Sequence, residues 1–284
     1  MTELGTIFDI REMTTHDGPW VRSTVFFKGC PLRCSWCHNP EGMDPNPQLM
    51  IRTKGCVECG ACREPCDHAD CVGLGRCLHR CPNGLISLSG ETVSAEALAE
   101  RLLRVSGLLD RAGGGYTISG GEPLWQPDFL LRLIELLKPH HVAVETSGHC
   151  PQEDFKRVMR LADLMILDVK HMDSARHRAG TGQGNQAILR NLDHLIDSPL
   201  HFWVRTPIIP GFNDDEENLH AMAKRLAPAA GRVQVELLHF NPLAAVKYPM
   251  VGKSFSPPFK VDDEVKVDLA CFRDNGILAY WRPS

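Results

Sequence analysis

Three cysteines within eight residues, Cys30-Pro-Leu-Arg-Cys34-Ser-Trp-Cys37, can offer three thiolates to one compact metal centre. A closed [4Fe–4S] cluster takes four thiolates, so this spacing leaves one iron open. An open iron binds a substrate as well as carrying electrons, which points to a catalytic cluster. A structural zinc site closes with four protein ligands. No fourth cysteine follows at finger-like spacing, although the adjacent His38 is able to close one. The loop alone favours iron–sulfur and keeps zinc as the alternative.

A second group of cysteines follows. Cys56-x2-Cys59-x2-Cys62-x3-Cys66 has the spacing of a bacterial ferredoxin run, whose fourth cysteine serves the other of two clusters. By that logic Cys56, Cys59, Cys62 and Cys81 hold one [4Fe–4S] cluster. The remaining Cys66, Cys71 and Cys77 supply only three thiolates, because Leu74 occupies the place of the middle cysteine of the second run. That site is a [3Fe–4S] cluster, recruits Asp70, His68 or His79 as a fourth ligand, or is absent, so one or two additional clusters are expected. A zinc knuckle is the alternative, and the segment serves as an electron relay or a docking element.

Composition narrows the classes. The 284 residues, 43% hydrophobic and 23% charged with a net charge of −4, describe a globular chain with no basic surplus for nucleic acid. No stretch reaches the length of a membrane span, and the acidic residues among the first twenty argue against a signal peptide. A cytoplasmic location is expected, where twelve cysteines are better explained by metal than by disulfides.

The elements that must position these groups alternate along the chain. A lead-in over 4–19 precedes a β-branched and aromatic strand at 21–28, and Gly29 turns the chain into the first cysteine loop. Residues 51–87 lack the apolar side chains for a core of their own and read as a metal-held insert. Residues 1–50 and 88–284 form the main domain. Ser94 is the expected N-cap of a helix. Strands at 116–118, 142–145, 164–168, 202–206, 233–237 and 277–280 then alternate with helices at 127–138, 152–161, 186–196, 215–227 and 262–274. Repeated βα units imply a parallel sheet, and six principal units are too few for a closed eight-stranded barrel. The expected fold is α/β, a partial (β/α)6 TIM-like barrel with a small Cys-rich ferredoxin-like insert. Its functional groups gather at the carboxyl ends of the strands. His141, His149, His171 and His177 are read as rim residues, and Gly180, Gly182 and Gly184 as a flexible turn.

The ordered set His16-Asp-Gly-Pro, Phe26-Phe-Lys-Gly-Cys-Pro-Leu-Arg-Cys-Ser-Trp-Cys-His-Asn-Pro-Glu41, Ser119-Gly-Gly-Glu-Pro, Val144-Glu-Thr-Ser-Gly148, Leu167-Asp-Val-Lys170 and Pro210-Gly-Phe-Asn-Asp214 resembles the radical S-adenosylmethionine (SAM) superfamily. Within it, the chain is similar to the glycyl radical enzyme activating enzymes. The resemblance implies that Cys30, Cys34 and Cys37 hold a [4Fe–4S] cluster whose open iron chelates SAM. Reductive cleavage then gives methionine and a 5′-deoxyadenosyl radical, which takes hydrogen from a backbone glycine of a partner enzyme.

By the same resemblance Trp36 lies by the adenine or packs over the cluster. Gly120 and Gly121 admit the methionine amino group or form an ordinary turn. Glu122 starts a helix or orders the site. Glu145 and Asp168 bind ribose or a monovalent cation, or form a polar rim. Lys170 and Arg205 face a carboxylate or pair with those acids. The partners implied are a glycyl radical enzyme and a flavodoxin or ferredoxin as electron donor. Asn241 stands where pyruvate formate-lyase activase has histidine, and Trp20 where a second glycine is usual. The surroundings of Lys170-His-Met-Asp173 look more like activases of decarboxylases or dehydratases. Two other functions remain open at this point, a radical SAM enzyme acting on a small molecule and a ferredoxin-like electron carrier.

Overall fold

The computed structural model describes residues 3–260, 263–265 and 267–282. The expected lead-in is itself a strand, β1 (Leu4–Thr14), antiparallel to β2 (Arg22–Phe27), with Ile7 opposite Phe27 and Ile10 opposite Val25. Every residue of β2 is buried, as expected of a strand covered on both faces. A short antiparallel ribbon follows, β3 (Gln48–Ile51) with β4 (Ile86–Ser89). It brings together the two ends of the cysteine-rich stretch, which contains only single turns of 3-10 helix at 61–63 and 69–71.

β5 (Glu91–Ser94) returns to pair with β1, and its Ser94 hydroxyl accepts the Ala97 amide at 3.1 Å, capping α1 (Ala95–Leu103) as expected. α2 (Ser106–Arg111) leads to the repeating part of the chain: β6 (Gly115–Gly120), α3 (Pro127–Leu137), β7 (Val142–Thr146), α4 (Gln152–Leu161), β8 (Leu164–Asp168), α5 (Ser174–Thr181), α6 (Gln186–Asp197), β9 (Phe202–Ile208), α7 (Glu216–Leu226), β10 (Val233–His239), α8 (Ala244–Lys247), α9 (Ala270–Asp274) and β11 (Leu278–Arg282).

The main sheet runs in the order β11-β10-β9-β8-β7-β6-β2-β1-β5, and all pairings from β2 to β11 are parallel. Its two edges do not meet, so the barrel is open-sided. One continuous core fills the space between sheet and helices, drawing on Phe27, Tyr116, Val144, Leu167, Val204 and Val235 from the strands and Leu98, Phe129, Leu192 and Met222 from the helices.

Three expectations need correction. The last helix, expected over 262–274, is seen only as α9; residues 262 and 266 lie outside the described residues. α5 was not expected, because Ser-Ala-Arg-His-Arg-Ala-Gly-Thr has no apolar stripe. It is held by its termini: Asp173 caps it by accepting the Arg176 amide at 2.7 Å, and Gly182 ends it in the left-handed conformation at φ 79°. Gly182 is therefore a helix stop, where a flexible turn was expected. Finally, His171 and His177 are buried, not on the rim. His177 Nδ1 lies 2.6 Å from the Gln183 carbonyl, and burial pushes its pKa down to about 4.

Among the described residues, no helix is long and apolar enough to cross a membrane.

Candidate active site

The cysteine loop leaves β2 through Gly29, at φ 96°, and is fastened on two sides. The amides of Gly29 and Cys30 donate to the carbonyls of Gly42 and Met43 at 2.8 and 3.2 Å. On the other side Arg33 N–H donates to the Thr181 carbonyl at 2.7 Å and Ser35 N–H to the Gly180 carbonyl at 3.0 Å. The end of α5 is thus the shelf on which the loop rests. Trp36 is buried against Phe212, ring centres 4.7 Å apart, in a cluster with Ile209 and Phe240. Burial raises the Cys30 thiol to about 12 and raises Cys34 and Cys37 as well, against the pull of the Lys170 charge. These thiols therefore hold their protons unless a metal cation displaces them. Three half-buried soft donors, with no fourth in a compact group with them among the described residues, fit a cluster that leaves one iron open.

The second strand end, Ser119 to Pro123, is built by close backbone approach. A Cβ on Gly121 would lie 2.4 Å from both the Gly29 and Gly42 carbonyl oxygens, and one on Gly120 would lie 2.2 Å from the Phe27 nitrogen. Chain packing accounts for both glycines. Gly121→Ala is expected to cost about 1–3 kcal/mol or more, since backbone cannot yield as a side chain can, and to lower the iron content of the cysteine loop. Gly107→Ala, where nothing lies within 4 Å of the added carbon, is the control expected to unfold like the parent in thermal melts. Equal behaviour of the two variants would refute this reading.

Glu122 is 1% exposed and fully engaged. Its carboxylate accepts the Leu124 amide at 3.0 Å, the Thr146 hydroxyl at 2.6 Å, the Ser147 amide at 2.8 Å and the Ser147 hydroxyl. It caps the 3-10 turn at Pro123–Trp125, the helix-start role among its two expected ones, and also braces the end of β6 to the end of β7, with no lone pair turned to a ligand.

Next along the sheet, Glu145 accepts the Ser119 hydroxyl at 2.8 Å and Arg205 Nη1 at 2.7 Å. Arg205, 4% exposed, also donates Nε to Glu236 at 2.8 Å and Nη2 to the His16 carbonyl at 2.7 Å. All three nitrogens of its guanidinium are used, so the ion-pairing alternative describes it. Burial opposes ionisation of Glu145, but the Arg205 charge outweighs it and its pKa falls. Glu236 is wholly buried and takes Arg282 as a second cation at 2.5 Å. Glu236 was not among the residues expected at the site, although an acid in the apolar run Val-Gln-Val-Glu-Leu was the available signal.

Asp168 differs from Glu145. Lys170 contacts its Oδ2, while Oδ1 is buried with no partner. Burial keeps its pKa above the usual carboxylate range, and Lys170 stays protonated beside it. An unpartnered buried carboxylate oxygen is costly, and here it lies where strand ends and the cysteine loop converge. It fits a hydroxyl, an ammonium group or a monovalent cation.

In the cysteine-rich stretch the ligand atoms of Cys66, His68, Cys71 and Cys77 all lie within 4.8 Å of one another, and so do those of Asp70, Cys71 and His79. Among the described residues, neither Cys30, Cys34 and Cys37 nor Cys56, Cys59, Cys62 and Cys81 form a group this compact.

Comparison with known proteins gives these arrangements a family. Residues 24–223 match the model of the radical SAM superfamily. The chain is 35% identical over 274 residues to the (2S)-3-sulfopropanediol sulfolyase activating enzyme of Bilophila wadsworthia, covering 89% of this chain and 90% of that one. It is 34% identical over 292 residues to the choline trimethylamine-lyase activating enzyme of Oleidesulfovibrio alaskensis, covering 94% of each. Among solved structures, a radical SAM methyltransferase from Sphaerobacter thermophilus superposes with a TM-score of 0.51 at 16% identity, covering 100% of this chain and 78% of that one, a likeness of fold. Matched across most of its length by a superfamily model and by full-length relatives named as activating enzymes, the chain belongs to the radical SAM superfamily and, within it, to the glycyl radical enzyme activating enzymes.

Proposed function

We propose that this chain installs the radical on a glycyl radical enzyme, using Cys30, Cys34 and Cys37 as the ligands of a [4Fe–4S] cluster that binds SAM. The observation that carries the reading is the pairing of three half-buried thiols, with no fourth donor grouped with them among the described residues, with the unpartnered Asp168 carboxylate oxygen at the same end of the sheet. When bound and reduced, the cluster supplies one electron to SAM, releasing methionine and the 5′-deoxyadenosyl radical that abstracts hydrogen from the partner's glycine.

The chain's own residues set the conditions for this. Lys170 places a fixed positive charge beside the thiolates and Asp168. Asp168 Oδ1 offers its free lone pairs to a ribose hydroxyl, to the SAM ammonium or to a monovalent cation. Glu145, held by Ser119 and Arg205, lines the same rim. Glu122 fixes the spacing of β6 and β7 so that the strand ends stay in register. The Trp36, Phe212 and Phe240 rings keep water from the loop, and Trp36 would meet the adenine. Cys56, Cys59, Cys62 and Cys81 would hold a further [4Fe–4S] cluster in an insert spanning 51–87, where a flavodoxin or ferredoxin in the cytoplasm delivers electrons.

Anaerobic protein reduced in the presence of SAM and its genomic-neighbour glycyl radical enzyme is expected to show the doublet of a glycine-centred radical by electron paramagnetic resonance. If 5′-deoxyadenosine forms while no such signal develops on the partner, the activating reading is wrong and a small molecule is the substrate.

A further inference from the structure

The thiols around Cys66 are packed in a different way from those expected to carry clusters. A four-iron cluster seats each thiolate on a separate iron, so the sulfurs stand across the width of the cube. Ligands that share one ion stand closer: a tetrahedral site with zinc–sulfur bonds of about 2.3 Å and zinc–nitrogen bonds of about 2.0 Å has ligand-to-ligand edges of roughly 3.5–3.8 Å. Cys71 Sγ and Cys77 Sγ are 4.0 Å apart, Cys77 Sγ and His68 Nδ1 are 3.5 Å apart, and Cys66 completes a set in which every separation is under 4.8 Å.

The surroundings are those of a thiolate–metal site. The Leu78 amide donates to Cys71 Sγ at 3.3 Å and the His79 amide to Cys77 Sγ at 3.4 Å, outer bonds of the kind that stabilise ligating thiolates. Cys71 and Cys77 are 7% and 1% exposed in a stretch where Cys56 and Cys59 are exposed. The rival fourth ligands are engaged with each other, His79 Nε2 lying 2.8 Å from Asp70 Oδ2. Leu74, standing where a ferredoxin run has its middle cysteine, withholds the thiolate that a second four-iron cluster would need.

We propose that Cys66, His68, Cys71 and Cys77 bind a single zinc ion as a closed Cys3His site. Zinc has no redox chemistry, so this site folds the insert and carries no electrons. Any relay role then falls to Cys56, Cys59, Cys62 and Cys81 alone. Binding releases the thiol protons to solvent and changes no oxidation state. The proposal stands on the insert's own geometry and does not depend on the activating reaction.

The test uses the full chain, anaerobically reconstituted with iron and sulfide, with zinc, iron and sulfide counted on the same sample. One zinc per chain is expected, falling to background in Cys77→Ser and His68→Ala, with iron and sulfide counts of His68→Ala unchanged. His68→Cys is expected to keep zinc, which separates loss of a ligand from loss of the fold. Cobalt exchanged for the zinc is expected to give the intense visible bands of a tetrahedral site, with stronger sulfur-to-metal charge transfer in His68→Cys. Absence of zinc, zinc that persists undiminished in His68→Ala, or loss of iron and sulfide with His68→Ala would each overturn the proposal.

Discussion

Cys34→Ala is expected to abolish SAM cleavage, with 5′-deoxyadenosine falling to the level of a reaction without protein, while the chain stays folded. Cys34 sits in a loop whose amides are held by Gly42, Met43, Gly180 and Thr181, none of which needs the thiol. Its removal leaves two ligands for a cluster that already has one fewer than a closed site. The measurement pairs deoxyadenosine assay with iron content and a thermal melt. Loss of product with near-parental melting supports the assignment, whereas product formation above background would remove Cys34 from the centre.

The second large effect concerns stability. Arg205→Leu leaves Glu145 and Glu236 without their shared cation in the interior of the sheet, and removing one partner of a buried pair costs about 3–5 kcal/mol. Arg205→Lys restores charge without the fork that reaches Glu145, Glu236 and the His16 carbonyl together, so it is expected to recover only part of the loss. The pH dependence follows from the sign of the Glu145 shift. In the parent its folded pKa is depressed, mainly by Arg205 acting against burial. The resulting stability is present above the unfolded carboxylate pKa and is lost as pH falls through the folded one. Without Arg205 burial dominates and the shift reverses. The gap between parent and variant should therefore narrow on acidification in denaturant titrations, and a gap independent of pH would show that Glu145 is not the group left uncompensated.

The sequence made the repeating β/α rhythm legible because buried parallel strands are short apolar runs, as in Leu164-Met-Ile-Leu, with chemistry-bearing residues directly after them. It also isolated Cys30, Cys34 and Cys37, whose spacing is local. β1 was less visible, since Asp9, Arg11 and Glu12 dilute its apolar residues and its pairing with β2 and β5 is a tertiary fact. α5 was invisible because its helicity comes from Asp173 and Gly182 at its ends and not from a stripe, yet it seats the cysteine loop. The fates of the polar residues were likewise hidden. Whether Glu122, Arg205 or Asp168 faces a ligand depends on which neighbours consume their hydrogen bonds. Structure alone shows Glu122 and Arg205 fully engaged and Asp168 with an oxygen to spare. Trp20 is a related case: its φ of 60° keeps the left-handed backbone that glycine favours, with an exposed indole added.

The central claim is hydrogen abstraction from a backbone glycine by a radical generated at the Cys30–Cys37 centre. It is tested most directly by preparing the partner glycyl radical enzyme with dideuterated glycine, adding reduced protein and SAM, and analysing the 5′-deoxyadenosine by mass spectrometry. The expected result is one deuterium at the 5′ carbon, in step with growth of the glycyl radical signal. Deoxyadenosine carrying only protium would contradict it.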